Sequence, residues 1–392
     1  MLDVLVIGAG PSGSRTAWNL AKAGYSTVLV EEHEIVGEPC QCAGLITPRT
    51  FEYLGYKRPV SQEMNGARLW GPKDSFLNFQ ANETKALVID RPDLDRSIAE
   101  KAIDYGADLR SGHKYLGHRK SSKGIIATIQ SKSGKIELET KILVGSDGPA
   151  SRVARDAGLS SKREVLAAFG ADVEGYQGLD NHVDLFVGSE LAPRFFGWGI
   201  PTGPNTGRIG MATVLPNRPK NFFRDYFHKG APSKLLNGAK IVNRVSGLIP
   251  FGTREPSYTD NILLTGDAAG MAKPTSGGGI YSGLISADAA SEVIEASHKK
   301  EKFDSKTLSP YQDLLKKRIG GELSKGYHLR RAFLSLNDDQ LAEIISILGE
   351  PKVKSVIEKT GDLDYASLAA FSVLKAQPKL IKFAPLLLKP FI

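Results

Sequence analysis

The feature that most constrains this chain lies between residues 3 and 31. Asp3-Val4-Leu5-Val6-Ile7 is an apolar run that reads as a buried strand. Gly8-Ala9-Gly10-Pro11-Ser12-Gly13 then turns into a helix, and Val28-Leu29-Val30-Glu31 is a second apolar strand ending on an acid. Gly8 permits the tight turn, Gly10 lets the backbone approach a pyrophosphate, and Gly13 lets the helix pack closely on the strand. The helix N-terminus offers unpaired N–H groups and partial positive charge to a phosphate. Glu31 follows at about 20 residues, the spacing at which an acid meets ribose hydroxyls. Strand, turn, helix, strand and acid in register predict a dinucleotide site built from Gly8, Gly10, Ser12, Gly13, Glu31 and the adjoining Glu32.

This motif does not choose between NAD and FAD, but two later segments bear on the choice. Ile142-Leu143-Val144-Gly145-Ser146-Asp147-Gly148 is followed by Ser151 and Arg152. Asn261-Ile262-Leu263-Leu264-Thr265-Gly266-Asp267 leads to Gly277-Gly278-Gly279-Ile280. A buried strand there delivers Asp267 at its C-terminal end, where it can bond a ribityl chain. The triple glycine opens a further helix, expected over 280–296, whose N-terminus can face a flavin. The three segments in this order resemble the FAD-dependent oxidoreductases of the glutathione-reductase structural class. Within it the chain resembles the branch of aromatic hydroxylases, halogenases and geranylgeranyl reductases. The resemblance implies bound FAD, held by the first motif together with Arg91, Tyr115, Asp147, Gly148, Asp267, Gly277, Gly278, Gly279 and Ile280.

Two further stretches narrow the resemblance to geranylgeranyl reductases. The loop Gly37-Glu38-Pro39-Cys40-Gln41-Cys42-Ala43-Gly44 carries P-x-x-C followed by small residues. In that family the matching cysteine lies beside the flavin, which implies flavin contact for Cys42, Ala43 and Gly44 and a catalytic role for Cys42. The competing reading of each cysteine is a small buried hydrophobe. Pro193-Arg194-Phe195-Phe196-Gly197-Trp198-Gly199-Ile200-Pro201 resembles the family's Y-x-W-x-F-P segment, whose aromatics line a lipid channel. It assigns Phe196, Trp198, Ile200 and Pro201 to substrate, against an ordinary strand with core aromatics. Strand alternation puts Phe196, Trp198 and Ile200 on one face. Gly197 and Gly199 leave the opposite face bare for something to pack closely. Arg330 and Arg331 lie in a stretch like the family's helical tail. Arg330 is a candidate for a lipid phosphate, with a solvated helix face as the alternative.

The expected fold class is α/β, a Rossmann-type FAD-binding unit interleaved with a mixed or antiparallel sheet and followed by helices. Residues 1–60, 82–165 and 255–300 read as the FAD-binding domain. Residues 61–81 and 166–254 read as a sheet roofing the substrate, and 301–392 as a helical region. Pro92 and the nearby acids suit a helix from Arg91 to about Tyr105. Leu341, Ile344, Ile345 and Leu348 make one apolar helix face.

Composition limits the partners. The chain has 392 residues, 41% hydrophobic and 24% charged, an ordinary globular balance large enough for two domains. Its net charge of +8 fits an anionic ligand, an acidic protein donor or an anionic membrane surface. No basic run interleaved with aromatics appears, which argues against nucleic acid. A strand starting at residue 2 or 3 leaves no room for a signal peptide. No stretch of about 18 uncharged apolar residues exists. The expected location is the cytoplasm, with the inner membrane face also open. Two cysteines make no disulfide framework, and seven histidines at unrelated spacings make no metal site.

The resemblance implies hydride transfer to an isolated prenyl C=C bond of an archaeal ether lipid, prenyl diphosphate or quinone side chain. The donor stays open among ferredoxin, F420H2 and NAD(P)H. An aromatic hydroxylase or halogenase of the same fold is one alternative. A flavin-bearing electron carrier or lipid-binding protein without turnover is another.

Overall fold

The computed structural model describes residues 1–159, 163–214, 217 and 219–383. The N-terminal strand Leu2–Ile7 is the centre of a sheet whose main path is parallel except for the antiparallel edge strand Tyr258–Thr259. Thr27–Val30 and then Asp108–Arg110 lie on one side of it, and Gly134–Gly145 and Ile262–Leu264 on the other. Val4, Leu5, Val6, Leu143 and Leu263 have no exposed surface. Helices cover both faces of such a sheet, so its strands read as continuous apolar runs. The helices Pro11–Lys22, Arg91–Asp104 and Ile280–Lys300 share its core. Lys114–Lys120 and Ile125–Ser131 extend it as an antiparallel flap on the first half of Gly134–Gly145.

A second, seven-stranded sheet runs in the order 240–251, 164–174, 206–214, 192–203, 182–188, 66–70, 76–80. It is antiparallel except where Gly66–Trp70 pairs with His182–Gly188. The strand signals at 183–187 and 208–214 are found there. The same block also holds two short helices, Pro219–Asp225 and Gly230–Leu235, which the strand reading left out. Phe223, Tyr226 and Leu235 are what they bury. Val60–Met64, expected in the roof, instead joins Leu45–Ile46 and Ala86–Ile89 in a small three-stranded sheet.

The rest of the described chain is helical. Asp338–Leu348 begins with a reciprocal capping box between Asn337 and Gln340. Its apolar face splits between two neighbours. Leu341 and Ile345 pack with Leu77 and Val187 on the seven-stranded sheet. Ile344 and Leu348 meet Val353 and Val373 of the last helices. The helical expectation over 384–392 lies outside the described residues. No described helix is long and apolar enough to cross a membrane.

Candidate active site

The C-terminal ends of the parallel strands open into one cavity of about 1330 Å³, which continues beneath the seven-stranded sheet. In an open α/β sheet this end, where strand order reverses beside the central strand, is where ligands bind. The sequence explains the local build. Gly8 takes φ 99°, and a Cβ there would lie 2.4 Å from the Ser146 carbonyl oxygen. A Cβ on Gly13 would lie 1.9 Å from the Gly8 carbonyl oxygen, so only glycine lets this helix start against the strand. At Gly10 a Cβ would meet nothing within 4 Å, because that position faces the open cavity.

Most of the expected residues converge on this space. Gly8, Gly10, Ser12, Glu31, Glu32, Cys42, Ala43, Arg91, Tyr115, Asp147, Gly148, Asp267, Gly277, Gly278, Gly279 and Ile280 line it. Gly13 and Gly44 do not, and act through the backbone beneath. Glu31 is fixed before any ligand arrives: its carboxylate accepts from Ala9 N at 2.9 Å and from His33 N at 3.0 Å. Glu32 pairs with Lys114. The Tyr115 hydroxyl is bonded to His118 Nδ1 at 2.6 Å. Asp147 uses its carboxylate locally, accepting from Ser151 Oγ, Arg152 N and Val153 N and so fixing the start of the next helix. Burial raises its pKa above the usual carboxylate value.

The cysteine loop is held over the cavity by groups from elsewhere. Arg208 Nη1 donates to the Ala43 carbonyl at 2.8 Å while Arg208 Nε bonds Asp172. Gly44 N points at Cys42 Sγ, 3.4 Å away. Cys42 lines the cavity; Cys40 is partly buried outside that lining, and burial pushes its thiol pKa up. Burial opposes the charge on Arg91, but Asp95 at 2.7 Å and the Cys42 thiol beside it raise its pKa.

Phe196, Trp198 and Ile200 project into the cavity in alternation, joined by Val183, Leu185, Met64 and Phe79 from neighbouring strands. The bare opposite face is filled by two tyrosines. A Cβ on Gly197 would lie 1.9 Å from the Tyr226 hydroxyl, and one on Gly199 2.3 Å from the Tyr176 hydroxyl. Two substrate candidates are placed otherwise. Pro201 is buried away from the cavity. Arg330 borders it, but its guanidinium is committed: it bonds both oxygens of Glu164 and lies over the rings of Phe195 and Phe251 at 5.1 and 4.7 Å. With its side chain 1% exposed, it cross-links the helix Gly321–Leu334 to the roof sheet and is not placed for a phosphate.

Sequence reasoning missed a buried polar cluster in the cavity wall. Lys273 pairs with Asp364, which also accepts from Thr47 and Arg49. Arg49 in turn binds Asp362 at 2.8 Å. Lys273 stands just ahead of the triple glycine and was within reach of a motif reading. Asp364 is distant in sequence and carried no signal.

The residues present fit FAD. The helices Pro11–Lys22 and Ile280–Lys300 both begin at the cavity on glycines, Gly10 and Gly279, with no side chain capping their first N–H groups. The Asp267 carboxylate lines the cavity with no hydrogen-bond donor among the described residues, and burial raises its pKa despite Arg91 and Arg163 nearby. Its oxygens are free to accept from a hydroxyl, as the expected ribityl chain would offer.

Comparison with known proteins agrees. The family model described as FAD binding domain matches residues 1–291. An uncharacterized protein of Methanocaldococcus jannaschii is 31% identical over 95% of this chain and 95% of its own length. The digeranylgeranylglycerophospholipid reductase of Methanothrix thermoacetophila is 28% identical over 88% of this chain and 90% of its own. Among solved structures, a geranylgeranyl bacteriochlorophyll reductase-like protein of Thermoplasma acidophilum superposes with a TM-score of 0.88, at 22% identity, covering 98% of this chain and 99% of that one. A family match over the N-terminal 291 residues, on a groove whose glycines, helix starts and lone aspartate fit the cofactor, means that the chain belongs to the FAD binding domain family and is an FAD-dependent oxidoreductase.

Proposed function

We propose that this oxidoreductase saturates carbon–carbon double bonds of geranylgeranyl or similar prenyl chains. The observation that carries the reading is the apolar arm of the cavity. One cavity joins the nucleotide groove to a face of Phe196, Trp198 and Ile200, and so offers a long apolar chain a bed that leads to the groove where FAD would be held. The relatives named digeranylgeranylglycerophospholipid reductase support it. The seven-stranded sheet, with residues 66–80 and 164–251, is the substrate roof in this reading.

When bound, FAD supplies the hydride that an isolated alkene requires. The chain's own residues do the rest. Gly10, Gly279 and the helices behind them hold the pyrophosphate and ring end; Glu31 holds ribose, and Asp267 the ribityl chain. The aromatic face orients the double bond and keeps water away, which matters because an unactivated alkene reacts only when held in position. In this reading the Cys42 thiol, contacted by Gly44 N and neighbouring Arg91, shapes the reacting end or holds the proton needed by the second carbon. An external donor, ferredoxin, F420H2 or NAD(P)H, renews the reducing power.

The test is anaerobic. Enzyme reduced with dithionite is mixed with a geranylgeranyl lipid, and products are read by mass spectrometry. A gain of one H2 per reduced bond supports the proposal. Product that forms only with oxygen would replace it with a monooxygenase. Slow reoxidation with unchanged lipid would leave an electron carrier.

A further inference from the structure

The last described helix, Ala366–Ala376, has two unlike faces. Ala366 and Ala369 line the cavity, and Val373 is buried with Val353 and Leu380. On the other side Leu368 is 61% exposed and Phe371 70% exposed, and the next turn adds Ile381 at 53%. These are among the most exposed large apolar side chains of the described residues, and they lie on this helix and the turn that follows it. Lys375 continues the face at helical spacing, and Lys379 follows it. Neither lysine has an ion-pair partner among the described residues. Lys382 beside them is paired with Glu343.

The neighbouring turn links this surface to the cavity. Leu363, in the turn that leads into this helix, lines the cavity and is 37% exposed. Gly361 and Ile357 line the same end. Exposed apolar side chains beside lysines unpaired among the described residues suit an anionic lipid interface, the apolar groups below the headgroups and the ammonium groups among them. The net charge of +8 favours the same encounter.

We infer that the face formed by Leu368, Phe371, Ile381, Lys375 and Lys379 is a docking surface for an anionic lipid bilayer, seated so that the end of the cavity at Leu363 meets the membrane. The prenyl-lipid reading enters only in what passes through that end. The surface itself is tested without it. Full-length, FAD-loaded protein is sedimented with vesicles of phosphatidylglycerol or of phosphatidylcholine. The wild type should bind the anionic vesicles and release in high salt. Phe371→Asp should lower the partition coefficient by roughly tenfold, the loss of one buried aromatic group. Lys375→Glu with Lys379→Glu should lower it about fivefold or more for each charge and remove the salt dependence. Unchanged FAD content shows that the variants are folded.

Equal binding by wild type and variants overturns the inference. So does a Phe371-dependent dimer in sedimentation velocity without vesicle binding. A third overturning result is a wild type that ignores vesicles while Phe371→Asp lowers its melting temperature, as when the face is covered within the folded protein. Reduction of a detergent-dispersed geranylgeranyl lipid, measured alongside, separates the two claims. Turnover without vesicle binding removes only the docking surface, and vesicle binding without turnover removes only the proposed reaction.

Discussion

Replacing Asp364 by alanine should destabilise the protein far beyond an ordinary surface change. Its side chain is 2% exposed, and that of its partner Lys273 is 9% exposed. One carboxylate oxygen faces Lys273; the other accepts from Thr47 and from Arg49 Nη1 at 3.3 Å. The variant leaves the Lys273 ammonium buried without a counterion. Breaking a buried pair from one side costs about 3–5 kcal/mol. At about 2.1 cal/mol/K of unfolding entropy per residue, a chain of 392 residues loses roughly 1.2 °C of melting temperature per kcal/mol, so the expected fall is about 4–6 °C. The cluster also ties the turn before Gly277 to the helical tail, so FAD should dissociate more readily. Differential scanning fluorimetry of FAD-saturated protein reads the first effect and flavin release the second. The double variant Lys273→Met, Asp364→Leu should recover most of the loss, because it removes both charges and keeps the volume. A single variant melting within about 2 °C of wild type, or a double variant as unstable as the single, refutes the reasoning.

Other expectations follow from the same structure. Glu31→Ala should weaken FAD by about 1–3 kcal/mol through lost ribose bonds and a freed Ala9 N–H, seen by titrating apoprotein; unchanged affinity would remove Glu31 from the site. Cys42→Ser should lower prenyl turnover more than FAD affinity, and an equal loss in both would mean a packing role. Tyr226 is fully buried and its hydroxyl has no partner among the described residues, so Tyr226→Phe should raise stability by about 1 kcal/mol, whereas a lower melting temperature would reveal an unseen partner. Burial holds His118, His182 and His298 below the ordinary histidine pKa. Between those lowered values and about 6.5 the unfolded chain binds more protons than the folded one, so stability should fall as pH drops through this window. His298→Phe, packed between Tyr25 and Phe303, should flatten that slope; an unchanged slope assigns it to other groups.

The nucleotide half of the site was legible in the sequence because it is local. A tight turn needs Gly8, a close helix needs Gly13, and an acid at the end of the next strand needs only chain order. The alternation of Phe196, Trp198 and Ile200 was legible for the same reason, since strand geometry alone fixes which side chains share a face. Even the tight packing behind Gly197 and Gly199 was implied, though not that Tyr226 and Tyr176 supply it. What only the tertiary structure decided are contacts between residues far apart in the chain. Arg330 looked free for a phosphate until Glu164, across the fold, was seen to hold it. Pro201 belonged to the motif, but the alternation that aims Ile200 into the cavity turns the next residue to the opposite, buried side. Asp364 carried no motif, and its meeting with Lys273 depends on how the helical tail folds back over the strand ends. Periodicity and turn chemistry act over a few residues and can be read along the chain. The pairing of buried charges depends on which surfaces meet, and that is settled only when the core is packed.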